Sequence, residues 1–169
     1  MLQKVIFLLL LCRMGKEKTQ KNVMITNRRA THEYYFVLEF EAGMVLTGTE
    51  IKSIRAGYAN LSDAYCIFEH GELYVKNLNI SEYANGSFYN HETRRTRKLL
   101  LRRNELRKLE RRLKERGMTI IPFKLFISER GFAKLQIALA QGKKEFDKRE
   151  TIKERDVKRD IDKVMKAYK

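Results

Sequence analysis

Apolar and polar positions along the chain repeat with two different periods, and the changes of period mark out its elements. Residues 34–40, Tyr-Tyr-Phe-Val-Leu-Glu-Phe, are rich in aromatic and branched side chains and predict a strand. Gly43 follows two residues that suit a turn, and strand character resumes over residues 44–47. Ile51 and Ile54 then stand three apart with Gly57 behind them, the pattern of a short helix closed by a glycine. Residues 64–69 and 73–78 flank His70-Gly71-Glu72 and predict a hairpin, and Asn85-Gly86 marks a further turn. Its Asn-Gly-Ser is formally a glycosylation sequon, read here as a loop. Leu106, Leu109 and Leu113 fall at helical spacing, with Asn104 as the expected cap and Gly117 as the stop. Residues 119–128 and 132–140 are two more strands joined by Glu129-Arg130-Gly131, and Pro122, the only proline, is expected near a strand start or edge.

About six strands with short helices between them predict a mainly β fold, a small closed β-barrel of OB type, with a half-open sandwich as the alternative. Residues 1–21 read as an N-terminal extension, residues 22–142 as the barrel and residues 143–169 as a basic tail. The apolar run over residues 5–11 is too short to span a bilayer and no small-residue cleavage site follows it. Residues 1–13 are therefore read as an upstream extension with Met14 as the true start, against the alternative of a targeting or membrane-associating segment. In the tail, Ile161, Val164, Met165 and Tyr168 share one helical face, which is marginal alone and would order on a surface.

Charge changes this picture from a fold to a partner. The 36 lysines and arginines outnumber 21 acids, leaving a net +15, of which +2 lies in residues 1–80 and +13 in residues 81–169. Residues 94–116 alone carry +9. Such a block repels itself unless counter-anions neutralise it, and aromatics interleaved with the charges favour nucleic acid over anionic lipid. Asn27-Arg28-Arg29-Ala30 followed by His32 forms a second cationic patch suited to phosphates. Tyr58, Tyr65, Tyr74, Tyr83 and Tyr89 could stack on bases but are as well explained by packing, and none is assigned.

The signatures of nucleotide hydrolysis, dinucleotide binding, zinc proteolysis and common serine hydrolases do not occur. His32-Glu33 with Glu41 is the one acid/base candidate. Cys12 and Cys66 lack any metal-binding or disulfide spacing, consistent with a reducing, cytoplasmic setting.

Taken together, six ordered motifs resemble the SmpB family, the protein partners of tmRNA in bacterial ribosome rescue. They are Asn27-Arg28-Arg29-Ala30-x-His32, the run 40–43, the run 48–55, Asn60-Leu61-x-Asp63, the run 97–101, and Gly142-Lys143-Lys144-x-x-Asp147-Lys148-Arg149. The resemblance spans about residues 22 to 169. Asn79, Glu92 and Arg102 depart from what is common in the family, and Val164-Met165-Lys166 matches its hydrophobic-Met-Lys element.

The resemblance implies a barrel that grips the tRNA-like domain of tmRNA, a tail that senses the empty mRNA channel, and no catalytic step, cofactor or metal. It carries tmRNA contact onto Asn27, Glu41, Leu100 and Lys134, to which charge and position add Arg28, Arg29, His32 and Arg102. It carries ribosome contact onto Gly142, Lys143, Lys144, Asp147, Lys148 and Arg149, with Ile161, Val164, Met165 and Lys166 further along the tail. Glu41 would accept hydrogen bonds from base or sugar donors or orient a neighbouring arginine. The implied partners are tmRNA, the ribosomal decoding centre and mRNA channel and, through aminoacylated tmRNA, elongation factor Tu. The protein is expected to be a monomer away from membranes. A structural rRNA binder and an RNA-processing enzyme using His32 are the competing readings.

Overall fold

The computed structural model describes residues 23–86, 90–144, 152–153, 156–161 and 163–165. Up to residue 144 the chain runs β1 (Met24–Thr26), α1 (Arg28–Glu33), β2 (Tyr34–Met44), α2 (Gly48–Arg55), β3 (Ala59–Asn60), β4 (Tyr65–Glu69) and β5 (Glu72–Lys76). It continues through β6 (Asn79–Ile80), β7 (Arg97–Leu100), α3 (Arg103–Leu113), β8 (Met118–Ile127) and β9 (Ala133–Gly142). The fold is mainly β with a few short helices. Seven strands share one antiparallel sheet in the order β1-β8-β4-β5-β7-β2-β9, in which β8 also pairs with β9, and β3 and β6 form a separate pair. The described tail residues are helical.

Alternation along the strands decides what fills the interior. Leu73 and Val75 on β5, Leu99 on β7, Ile120 and Leu125 on β8, and Leu135, Ile137 and Leu139 on β9 form the core with Ile54 of α2 and Leu109 of α3. On β9, residues 138–140 are buried on both faces, because a second cluster of Ala30, Ile121 and Ala140 with Tyr34, Phe36 and Phe123 lies under α1. The hairpin between β4 and β5 turns on His70 (φ 52°) and Gly71 (φ 77°), two successive left-handed residues whose twist matches that of the strands they join. Gly117 (φ 80°) closes the region after α3 as its position predicts.

Several local expectations are corrected. Gly43 is not a turn: β2 runs through it to Met44, pairing with Lys134 on one side and Leu100 on the other. The turn signal loses to a ladder bonded on both edges. Pro122 lies buried inside β8, where the register against β9 slips before Lys124, and such an irregularity tolerates a residue with no N–H to donate. Asn104 lies within α3, whose N-cap is Arg102, its backbone N–H donating to Glu105 at 2.8 Å. Residues 28–33, read as a basic patch, are a helix capped by Asn27. The short strands β1, β3 and β6 are too brief for any periodicity to announce.

Candidate nucleic-acid interface

Four of the predicted RNA-contacting residues meet at one end of β2, β7 and β9. Glu41 and Gly43 on β2, Leu100 on β7, Lys134 on β9, and Arg102 and Glu105 at the start of α3 line an open concavity of ≈ 520 Å³. Strand pairing puts them there, since Gly43 is the direct partner of both Leu100 and Lys134. Residues on one face of a strand alternate, so with Leu99 in the core Leu100 must point outward, and it is 52% exposed. It lies across Gly43, where a Cβ would stand 3.4 Å from that of Leu100.

Lys134 reaches Glu41 at 3.2 Å, both half-exposed. A pair this open contributes at most about 1 kcal/mol, so either partner can be redirected to a ligand with little loss. The residue Glu41 orients is therefore this lysine, not an arginine. The neighbouring hollow, bounded by Leu100, Lys134, Met44, Leu46 and Phe132, is more apolar, and Phe132 is 65% exposed.

What fixes β7 in this position is a buried ion cluster. The Glu50 carboxylate on α2 is fully buried and accepts from Arg97 Nε at 2.8 Å, Arg95 Nη2 at 2.8 Å, Arg95 Nε at 3.2 Å and the Thr47 N–H at 2.7 Å. Arg97 is itself fully buried, and its remaining donors reach the carbonyls of Leu78, Arg95, Thr93 and Glu92. Burial alone would raise the Glu50 pKa, but the hydrogen bonds from Arg95 and Thr47 and the charge of Arg97 outweigh it and bring the carboxyl from 4.5 to about 2. Burial likewise pulls Arg97 down from its ordinary value, opposed by Glu50. His91, buried nearby, joins Thr49 Oγ1 at 2.9 Å to the carbonyl of Ile80 at 3.1 Å.

This cluster changes the reading of the basic block over residues 94–103. Two of its arginines share the single carboxylate of Glu50, which offsets one of their two charges, and Lys98 pairs with Glu72 at 2.5 Å. Only Arg94, Arg102 and Arg103 remain exposed for a partner.

The other predicted RNA residues gather elsewhere. Asn27 is buried, its Nδ2 donating to the Leu61 carbonyl at 2.8 Å and its Oδ1 accepting from the Ala30 N–H at 3.1 Å. Its side chain is thus occupied with capping α1 and tying it to the β3–β4 connection. Arg28 and Arg29 are exposed on α1, and Arg29 pairs with Glu33 at 2.8 Å, which raises the guanidinium pKa. Tyr34 pairs with Gly142, so α1 stands beside the root of the tail: the Lys143 N–H donates to the Glu33 carbonyl at 2.8 Å and its Nζ to the Thr31 carbonyl at 3.3 Å.

Seven residues of β2 separate this patch from Glu41, roughly 23 Å of strand. Arg28, Arg29 and His32 therefore group with Gly142, Lys143 and Lys144, not with Leu100 and Lys134. For the same reason His32 and Glu41 form no acid/base pair, and Glu33 is taken by Arg29. Ile161, Val164 and Met165 are exposed on the helical tail, while Asp147, Lys148, Arg149 and Lys166 lie outside the described residues. Among the described residues no His, Cys, Asp and Glu cluster could hold a metal, and no helix is long and apolar enough to cross a membrane.

The family model described as "SmpB protein" matches residues 24–167, nearly all of the chain. The chain belongs to the SmpB family. An SsrA-binding protein of Parabacteroides distasonis is 54% identical over 151 residues, 89% of this chain and 99% of its own length. That of Phocaeicola vulgatus is 56% identical over 144 residues, covering 85% and 96% respectively. A solved chain described as "tmRNA-SmpB: a journey to the center of the bacterial ribosome" is 46% identical with a TM-score of 0.63, covering 73% of this chain and 86% of that one.

For an SmpB-family chain the informative misses are Glu50, Arg97 and Phe132. Glu50 sits one turn before Ile54 on the buried face of α2, so a carboxylate in an apolar helical position was a readable signal that it needs a cation. Arg97 precedes Leu99 by two on β7 and shares its inward face. Phe132 begins a strand-like run, and no periodicity distinguishes it from the core residues that follow.

Proposed function

We propose that this SmpB-family chain is an RNA-binding adaptor that binds the tRNA-like domain of tmRNA and delivers it to stalled ribosomes for trans-translation. Family membership and the likeness to a tmRNA-SmpB structure support the activity. The observation that carries the site is the meeting of Glu41, Leu100, Arg102 and Lys134 around one concavity. Glu41 is an acceptor for base or ribose donors, Lys134 and Arg102 supply phosphate contacts, and exposed Leu100 and Phe132 offer apolar surface to a sugar or an unstacked base. This chemistry reads a folded RNA by shape and edge, and needs no bond-making step, cofactor or metal.

The strand pairings β8-β4-β5-β7-β2-β9 and back to β8 support reading residues 22–142 as a small closed barrel of OB type. Residues 143–169 would form the ribosome-side arm. In that reading Gly142, Lys143 and Lys144 leave the barrel beside Arg28, Arg29 and His32, Asp147, Lys148 and Arg149 follow, and Ile161, Val164, Met165 and Lys166 enter an mRNA channel that is free only when messenger is missing. The protein would act as a cytoplasmic monomer and meet elongation factor Tu through the aminoacylated RNA.

Full-length protein and a variant ending at residue 149 should bind tRNA-like RNA with equal, salt-sensitive affinity, while only the full-length chain supports tagging on ribosomes stalled without messenger. Loss of RNA binding on truncation would overturn the division of labour. Failure of the full-length chain to bind tRNA-like RNA at modest ionic strength would overturn the function.

A further inference from the structure

With Arg95 and Arg97 held by Glu50 and Lys98 by Glu72, the cations that stay unpaired in this region among the described residues line up on α3. At about 100° per residue, Leu106, Leu109 and Leu113 turn one face of this helix to the core and leave two flanks. One flank carries Lys108 and Arg112 among Glu105 and Glu115. Arg112 is paired with Glu115 at 3.1 Å, and Lys108 lies 6.0 Å from the Phe40 ring.

The other flank carries Arg103, Arg107, Arg111 and Lys114, all exposed, with Glu110 beside them and no ion pair to any described residue. The three arginines are spaced i, i+4, i+8, about 6 Å per step, and with Lys114 the row is roughly 16 Å long. Equally spaced guanidinium groups along a straight helix match successive phosphates of one RNA strand, and such an anion lying along them relieves their mutual repulsion.

We propose that the Arg103–Arg107–Arg111–Lys114 flank of α3 is a phosphate-tracking surface for tmRNA, continuous with the Glu41–Leu100–Arg102–Lys134 concavity. Continuity comes from the chain itself. Arg102 lines the concavity and Arg103, the next residue, opens the row, so an RNA strand leaving the concavity passes onto the helix. The concavity reads edges and shape, whereas the row adds affinity indifferent to sequence. This inference rests on the function proposed above and extends its binding surface beyond the residues assigned by family resemblance.

The test compares two matched triple variants of the full-length protein, R103Q/R107Q/R111Q and K108Q/R112Q/R116Q. Glutamine is a good helix former, and circular dichroism and the urea midpoint verify that both variants fold. Binding of tmRNA is measured by titration between 50 and 200 mM salt, with Leu100→Ala as a variant of the concavity. The first triple is expected to bind tmRNA about tenfold or more weakly at low salt and to lower the slope of log K against log salt by about two, and the second to stay within twofold.

Equal losses in both triples, or an unchanged slope in the first, would overturn the proposal. So would normal tmRNA affinity in the first triple with weakened binding to ribosomes, which would assign the row to ribosomal RNA. If wild type itself does not bind tmRNA, the proposed function fails. If wild type binds, Leu100→Ala weakens binding and the first triple does not, the α3 inference alone fails.

Discussion

Replacing Glu50 by glutamine removes the buried carboxylate that pairs with Arg97 and leaves a fully buried guanidinium with carbonyl partners and, among the described residues, only the more distant charge of Glu92. Breaking a buried pair from one side typically destabilises by about 3–5 kcal/mol, because the remaining charge is desolvated without compensation. The pKa of Glu50 expresses the same interaction on the proton scale. Its fall from 4.5 to about 2 on folding corresponds to about 3 kcal/mol of stability. The folded pKa is the lower one, so this contribution is complete above about pH 5.5 and is lost as the pH falls through about 2, below which both states are protonated. Urea unfolding of wild type and Glu50→Gln should therefore differ by about 3–5 kcal/mol at pH 7, and the gap should close on acidification because protonation does to the wild type what the substitution does. A gap below about 1 kcal/mol at pH 7, or one unchanged down to pH 2.5, would refute the assignment of the cluster as the clamp on β7.

Other substitutions separate stability from binding. Asn27→Ala loses the α1 cap and strands the Leu61 carbonyl, for an expected loss of about 2–3 kcal/mol in urea unfolding. A fully stable variant with weakened RNA binding would instead make Asn27 a direct contact. Leu100→Ala should shift stability by less than about 1 kcal/mol, since the side chain is half exposed, yet lower affinity for tRNA-like RNA about tenfold in a filter-binding assay. Unchanged affinity would remove Leu100 from the interface. Burial pushes the Cys66 thiol well above its ordinary pKa, so it should resist thiol reagents in the native protein and react only on unfolding, and rapid native labelling would contradict its placement in the core.

Much of the architecture was legible in the chain. The aromatic and branched run over residues 34–40, the hairpin around His70-Gly71 and the leucine triplet 106, 109 and 113 each correspond to an observed element, because one face of each had to leave water. The polyanionic partner was legible too, since net charge needs no coordinates. The site was legible only in part, and the arginines show why. Arg95 and Arg97 look the same in sequence as Arg94 and Arg103, yet Glu50, more than forty residues away, draws the first two inward. Gly43 and Pro122 carried turn and edge signals that the sheet overrode through partners on neighbouring strands.

By itself, then, the sequence determined which faces are apolar, where charge accumulates and which family the motifs resemble, because these depend on local periodicity and composition. Only the tertiary structure decided which charges remain for a partner. It also set Glu41 beside Lys134 and Leu100, and moved Arg28, Arg29 and His32 to the root of the tail. Those outcomes depend on long-range strand register, and a charge takes its nearest opposite in space, whatever its position along the chain.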